Sequence, residues 1–174
     1  QQGYEYLVNY MSEPGENGKR RAIKNGVRQE KTYYGIAASG VYSNGDLAAN
    51  YSGLKFYLNL TRPIQIWDVT LAPILQKIGH TWYFSPDFEP ENFLRPFISD
   101  HLNEAFNPSE YFFSESKIRS KVQKRCESWK NYLGEDFSLL YFTSKMNETT
   151  TWHGENYGHR FGSQHGISLA NECF

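Results

Sequence analysis

The stretch SNGDLAANYSGLKFYLNLTRP (43–63) constrains this chain more than any other. Leu47, Tyr51, Leu54 and Leu58 recur at steps of four, three and four, the spacing of one apolar face on a helix. Ser43 or Asn44 supplies an N-cap ahead of it, and Asp46 lies in the first turn, where a carboxylate favours the helix dipole. Pro63 stops the run. This reading predicts a long helix with one buried stripe, and the rest of the chain must supply what covers it.

Further helices follow from the same reasoning. Ala22, Ile23, Gly26, Val27 and Glu30 lie at helical spacing inside the basic stretch GKRRAIKNGVRQEK (18–31). Ile118, Val122, Cys126 and Trp129 do so inside a second basic stretch, and Gly134 closes it. PENFLRPFISDHLNEAFNP (90–108) opens on proline, a good first helical residue, with Phe93, Phe97, Leu102 and Phe106 roughly on one side. FSLLYFT (137–143) reads as a short buried strand or helix, whereas IWDVTLAPILQKIG gives mixed signals. The aromatic, proline-broken HTWYFSPDFEP (80–90) and the small-residue YYGIAASGVYSNG (33–45) read as connections. Residues 1–17 read as an extended N-terminal segment ending in the turn chemistry of SEPGENG. The expected fold is therefore mainly α. A single compact domain over 1–174 holds four or five helices, long irregular connections and a C-terminal loop or short-strand segment.

With 18 basic and 19 acidic residues, the chain has no general field for nucleic acid. Twelve of the basic residues fall in the two basic stretches, while residues 81–116 carry seven acids against Arg95 alone. Solvated helix faces partly paired with that acidic segment account for this pattern. Twenty-nine aromatic side chains suit sugar stacking or protein contact, but aromatic residues also fill cores, and core and surface-rim roles account for most of them. Cys126 and Cys173 permit one bridge, which would tie the chain end to a helix. No apolar run reaches the roughly 18 residues of a membrane span. Asn50, Asn59 and Asn147 open Asn-x-Ser/Thr sequons, which matter only in a eukaryotic secretory pathway.

The strongest site candidate is WHGENYGHRFGSQHG (152–166), with three of the five histidines and a glycine at every fourth position. His159 to His165 match His-x-x-Gly-x-x-His, the second half of the metzincin zinc signature. The first half fails, because Glu155 replaces the first histidine and Asn156 the catalytic glutamate. A carboxylate can still ligate zinc, so Glu155, His159 and His165, with His153 as a fourth group, form the expected metal or acid/base centre. Four glycines weaken a helix, so an extended or loop conformation is expected. An extended strand would put His153, Glu155, His159 and His165 on one face and the glycines on the other. Against this stands a glycine-rich segment whose histidines make ordinary hydrogen bonds. His101 and Glu104, three apart, read as a local pair on one helix face, and Asp46 as a dipole partner.

Two segments, SGVYSNGDLAANYSGLKFY (39–57) and HLNEAFNPSEYF (101–112), resemble parts of exported or periplasmic bacterial proteins of unknown function. The resemblance covers well under half the chain. It implies bacterial export, hence a secreted or periplasmic location, and lends no residue a role. Two function classes stand. One is an exported hydrolase with a metal (zinc) or acid/base centre, acting on a cell-envelope polymer. The other is a non-catalytic domain that binds glycan or protein through its Tyr/Trp-rich surface. Convergence of Glu155, His159 and His165 on one cleft favours the first, and dispersal the second.

Overall fold

The computed structural model describes residues 2–13, 15–32, 34–160 and 166–174. The long helix is present as α4 (Asn44–Asn59), capped by Ser43, whose hydroxyl accepts from the Asp46 amide at 3.0 Å. Leu47, Tyr51 and Leu54 are each 1% exposed or less. Two earlier helices cover this stripe: α1 (Gln2–Met11) and α2 (Glu16–Lys31). The N-terminal segment is thus helical rather than extended, because Tyr6, Leu7 and Tyr10 have an apolar face of α4 to bury against. Where α1 crosses α4, a Cβ on Gly3 would stand 3.0 Å from Cα of Gly53, so only glycine lets the two backbones approach this closely. Asn25 donates to Asn9 at 2.6 Å and links α2 to α1. The buried line of α2 is Gly18, Ala22, Gly26 and Glu30, small residues that end in a carboxylate.

The linker region holds α3 (Ile36–Ser39) and β1 (Val41–Tyr42), which pairs antiparallel with β6 (Glu110–Tyr111). After α4 come two antiparallel hairpins, β2–β3 (Ile64–Ile66, Val69–Leu71) and β4–β5 (Leu75–Ile78, Thr81–Phe84). Among the described residues the fold is therefore helical with three small two-stranded sheets, not purely α. Residues 80–90, expected as a connection, contribute β5, because their β-branched and aromatic residues pair with β4. The helix expected over 90–108 is replaced by single 3-10 turns at Arg95–Phe97 and Asp100–Leu102. Pro96 and Pro108 remove backbone donors there, and Asn103 and Asn107 bond locally instead.

The C-terminal part has its own cluster. The predicted second basic helix breaks into α5 (Glu115–Gln123) and α6 (Cys126–Leu133), closed by Gly134 at φ 58°. The 137–143 segment is helical, as α7 (Leu139–Glu148). Phe106, Phe142, Met146, Leu169 and Ala170 pack together, and α8 (Leu169–Cys173) is bonded to α6 through Cys126–Cys173. Of the basic residues, Lys19 pairs with Glu16 and Glu155, and Arg119 with Glu115 and Glu172. Of the 81–116 acids, Glu115 thus pairs with the second basic stretch. Asn50 and Asn59 are buried, so the folded chain offers neither sequon for modification. No helix among the described residues is long and apolar enough to cross a membrane.

Candidate functional site

The 152–160 segment is a loop built on a tight turn, not an extended strand. Trp152 and Glu155 exchange both backbone hydrogen bonds, at 2.7 and 2.9 Å. Between them His153 (φ 48°) and Gly154 (φ 85°) adopt the left-handed region. This turn breaks the alternation that would have put His153 and Glu155 on one face. Trp152, 0% exposed, packs edge-on against Tyr51 and anchors the turn in the core.

Glu155 points at α2 and α4. Its carboxylate accepts from Tyr51 Oη at 2.5 Å and pairs with Lys55 Nζ at 2.5 Å and Lys19 Nζ at 2.8 Å. Burial alone would raise its proton affinity, but the Lys19, Lys55 and Tyr51 donors prevail and hold the carboxyl below its ordinary range. Lys55 also lies 5.6 Å over the Trp152 ring. Glu155 is thus an ionised tie between helices, and a divalent cation would have to displace two ammonium groups to reach it.

The histidines go elsewhere. The His153 ring sits 4.6 Å from Trp152, 5.0 Å from His101 and 5.7 Å from Trp67, centroid to centroid. Both its nitrogens are buried without a hydrogen-bond partner among the described residues, as is Nε2 of His159. Burial, with His101 and Lys55 outweighing Glu155, pushes His153 down to about 4, and burial with His101 does the same for His159. Both rings are neutral at pH 7. His159 stacks edge-on against Tyr157 at 5.8 Å and, among the described residues, shares no partner with Glu155. His165 lies outside the described residues. Among those described, no three His, Cys, Asp or Glu side chains are placed to hold a metal ion, so Glu155, His153 and His159 as they stand do not fit zinc.

His101 and Glu104, read as one local pair, part company on the 3-10 turn. His101 Nε2 meets the Thr151 carbonyl at 2.6 Å and Nδ1 meets Ser99 Oγ at 2.8 Å. The carbonyl only accepts, so Nε2 carries the proton and Ser99 donates to Nδ1, leaving a neutral ring that burial keeps neutral. Glu104 turns toward the start of α4, where Oε1 accepts from Ser43 Oγ (3.1 Å) and Ser109 Oγ (3.0 Å), and Oε2 from Tyr111 (3.4 Å).

That contact reveals a group of carboxylates that the sequence did not single out. Glu30 of α2, 3% exposed, faces the Ser43 amide at 3.4 Å. Burial pushes its carboxyl up to about 7; the Ser43 amide opposes this and Asp46 adds to it. Asp46 is raised by burial and by Glu104, with Ser43 opposing. Glu30, Asp46 and Glu104 thus surround one capping serine, with a cleft of about 190 Å³ opening beside Glu104 and Tyr111. Near neutral pH the Glu30 carboxyl still holds part of its proton beside two further acidic side chains, an arrangement that acid/base chemistry uses. Only Ser43 and Asp46 were legible as a cap. Glu30 and Glu104 come from elements far away in sequence, with no spacing to link them.

A second feature lies on the hairpins. β4–β5 is exposed on both faces: Ile78 66%, Trp82 50%, Tyr83 52% and Phe84 63%. Alternation puts Trp82 and Phe84 on one face, with Leu75 and Lys77 as their cross-strand partners. Phe84 stacks on Phe88 at 4.3 Å, and Phe88 leans on Phe93 at 5.5 Å. At the roots of the two hairpins, against the 85–96 segment, opens a cleft of about 320 Å³ with Leu71, Phe88 and Phe93 as apolar wall and Asp87, Glu89 and Asn92 among its polar lining. Trp67 and Val69 of β2–β3 are also more than half exposed. No family model, curated protein or solved structure matches the chain.

Proposed function

We propose that this chain is a non-catalytic glycan-binding domain of the bacterial cell envelope. The observation that carries the reading is the β4–β5 hairpin, whose Trp82, Tyr83 and Phe84 are turned to solvent beside a cleft that mixes aromatic walls with carboxylates and amides. Large exposed apolar patches mark binding surfaces. Flat rings next to hydrogen-bonding groups match a sugar, which has an apolar face and a hydroxyl edge. The separation of Glu155 from His159 favours binding over a centre at Glu155, His159 and His165. The Cys126–Cys173 bridge suits an oxidising compartment and supports export.

Covering the exposed half of Trp82 removes on the order of 100 Å² from water, worth about 2.5 kcal/mol at roughly 25 cal/mol per Å². Titrating soluble cell-wall oligosaccharides while following tryptophan fluorescence tests the reading. Trp82→Ala should weaken binding by tens of fold without lowering the melting temperature. A wild-type protein that binds no envelope glycan ends it.

The carboxylate group favours a second reading, a hydrolase of a cell-envelope polymer with Glu30 as acid and Asp46 or Glu104 as base. Hydrolysis of purified cell-wall polymer, bell-shaped in pH and lost in both Glu30→Gln and Glu104→Gln, supports it. Turnover unchanged in these variants removes it.

A further inference from the structure

We propose that the cleft at the hairpin roots, continued outward by the exposed rings of β5, takes a cationic amino-sugar chain, its pyranose faces on Trp82 and Phe84 and its free ammonium groups against Asp87 and Glu89. The inference rests on the glycan reading and names the sugar. Among the described residues, the lining of this cleft contains Asp87 and Glu89 and no lysine or arginine. Both carboxylates are exposed and open to a ligand. Asn92 donates to Glu89 Oε2 at 2.9 Å and fixes its direction. The surrounding segment extends the field, since residues 81–116 hold seven acids and Arg95 as the lone base.

The aromatic strip itself accepts a cation. Lys77 Nζ lies 5.9 Å over the Trp82 ring, the cation–π position that a ligand ammonium would compete for. Phe84 and Phe88, stacked within 13° of parallel, continue the strip from the hairpin toward the cleft. A neutral, fully N-acetylated chain would use the rings and leave Asp87 and Glu89 without a counter-charge. An anionic bilayer surface would be repelled by them.

The test compares glucosamine hexamer, N-acetylglucosamine hexamer, cellohexaose and phosphatidylcholine vesicles by calorimetry at pH 6, in low and physiological salt, on the whole chain. The expected result is at least tenfold tighter binding of the glucosamine hexamer, weakening with salt. The double variant Asp87→Asn, Glu89→Gln should erase that preference and retain binding of the neutral hexamers, with an unchanged melting temperature. Equal affinity for the acetylated and free hexamers overturns the charge inference while the glycan reading survives. Binding of vesicles with no sugar bound overturns both.

Discussion

Glu30 offers the sharpest quantitative test of the carboxylate centre. Its carboxyl sits near 7 in the fold against an ordinary 4.5, because α2 buries it to 3% exposure. Between those pH values the native chain keeps a proton that the unfolded chain has released. Glu30's contribution is therefore complete below about 4.5 and lost as pH rises through 7. The interval of about 2.5 pH units, at roughly 1.4 kcal/mol each, comes to about 3 kcal/mol. Glutamine mimics the protonated acid and can still accept from the Ser43 amide. Glu30→Gln should match the wild type at pH 4.5 and exceed it at pH 8 by about 3 kcal/mol. For a chain of this length that means roughly 6–12 °C in melting temperature. Thermal unfolding followed by circular dichroism from pH 4.5 to 8.5 gives both curves. The histidines titrate alike in the two proteins and cancel in the difference. A constant gap across the pH range, or a variant less stable at pH 8, refutes the account of Glu30 as a buried acid holding its proton.

Three more outcomes follow from the same geometry. His153 and His159, held near 4 against an ordinary 6.5, make the fold lose stability as pH falls from 6.5 through 4; His153→Asn, which tolerates the positive φ, should flatten that acid limb in unfolding scans. Gly158 has φ 98°, and a Cβ there would lie 2.7 Å from Val27 Cγ2, so Gly158→Ala should cost about 2–4 kcal/mol by urea denaturation; a cost under about 1 kcal/mol contradicts the close approach. Opening the Cys126–Cys173 bridge, which spans 47 positions, should cost about 4 kcal/mol and raise hydrogen exchange in Leu169–Cys173 before α4 responds.

The parts of the fold visible in the sequence are those set by local chemistry. Ser43, Leu47, Tyr51 and Leu54 declare α4 because cap and stripe are properties of one segment. Gly134 and the Ile118–Trp129 spacing locate the end of this helical stretch in the same way, although Lys124 and Arg125 break it into two. The hairpins were hidden because β5 has no alternation: it is exposed on both faces, so burial left no period-two trace in TWYF. Within 152–160 the expected loop is present. The ties of Glu155 carry no sequence signal, because a turn at His153–Gly154 redirects its side chain and the partners Lys19 and Lys55 lie 136 and 100 positions earlier. Glu30 and Glu104 meet at Ser43 only through the packing of α2 and the 3-10 turn on α4, which no spacing encodes.

The same lack of burial separates folding from binding on the hairpin. A two-stranded hairpin is marginal alone in water. Here its root does the holding: Ile74 and Leu75 amides donate to the Asn59 and Leu60 carbonyls at 2.9 and 2.8 Å, Asn59 donates to the Ala72 carbonyl at 3.0 Å, and Ser85 bonds back to Pro73 and Ile74. Asn59 and Ser85 are buried, whereas Trp82, Tyr83 and Phe84 at the outer strand are not. Removing an outer ring therefore takes little from the fold, and removing a root side chain leaves buried carbonyls without donors, at about 1–3 kcal/mol. Trp82→Ala and Asn59→Ala accordingly make an opposed pair. The first should lose ligand at constant melting temperature, and the second should lower the melting temperature and move the hairpin away from the cleft. If Trp82→Ala destabilises the chain as much as Asn59→Ala does, the outer rings belong to the core, and the hairpin is not a display surface.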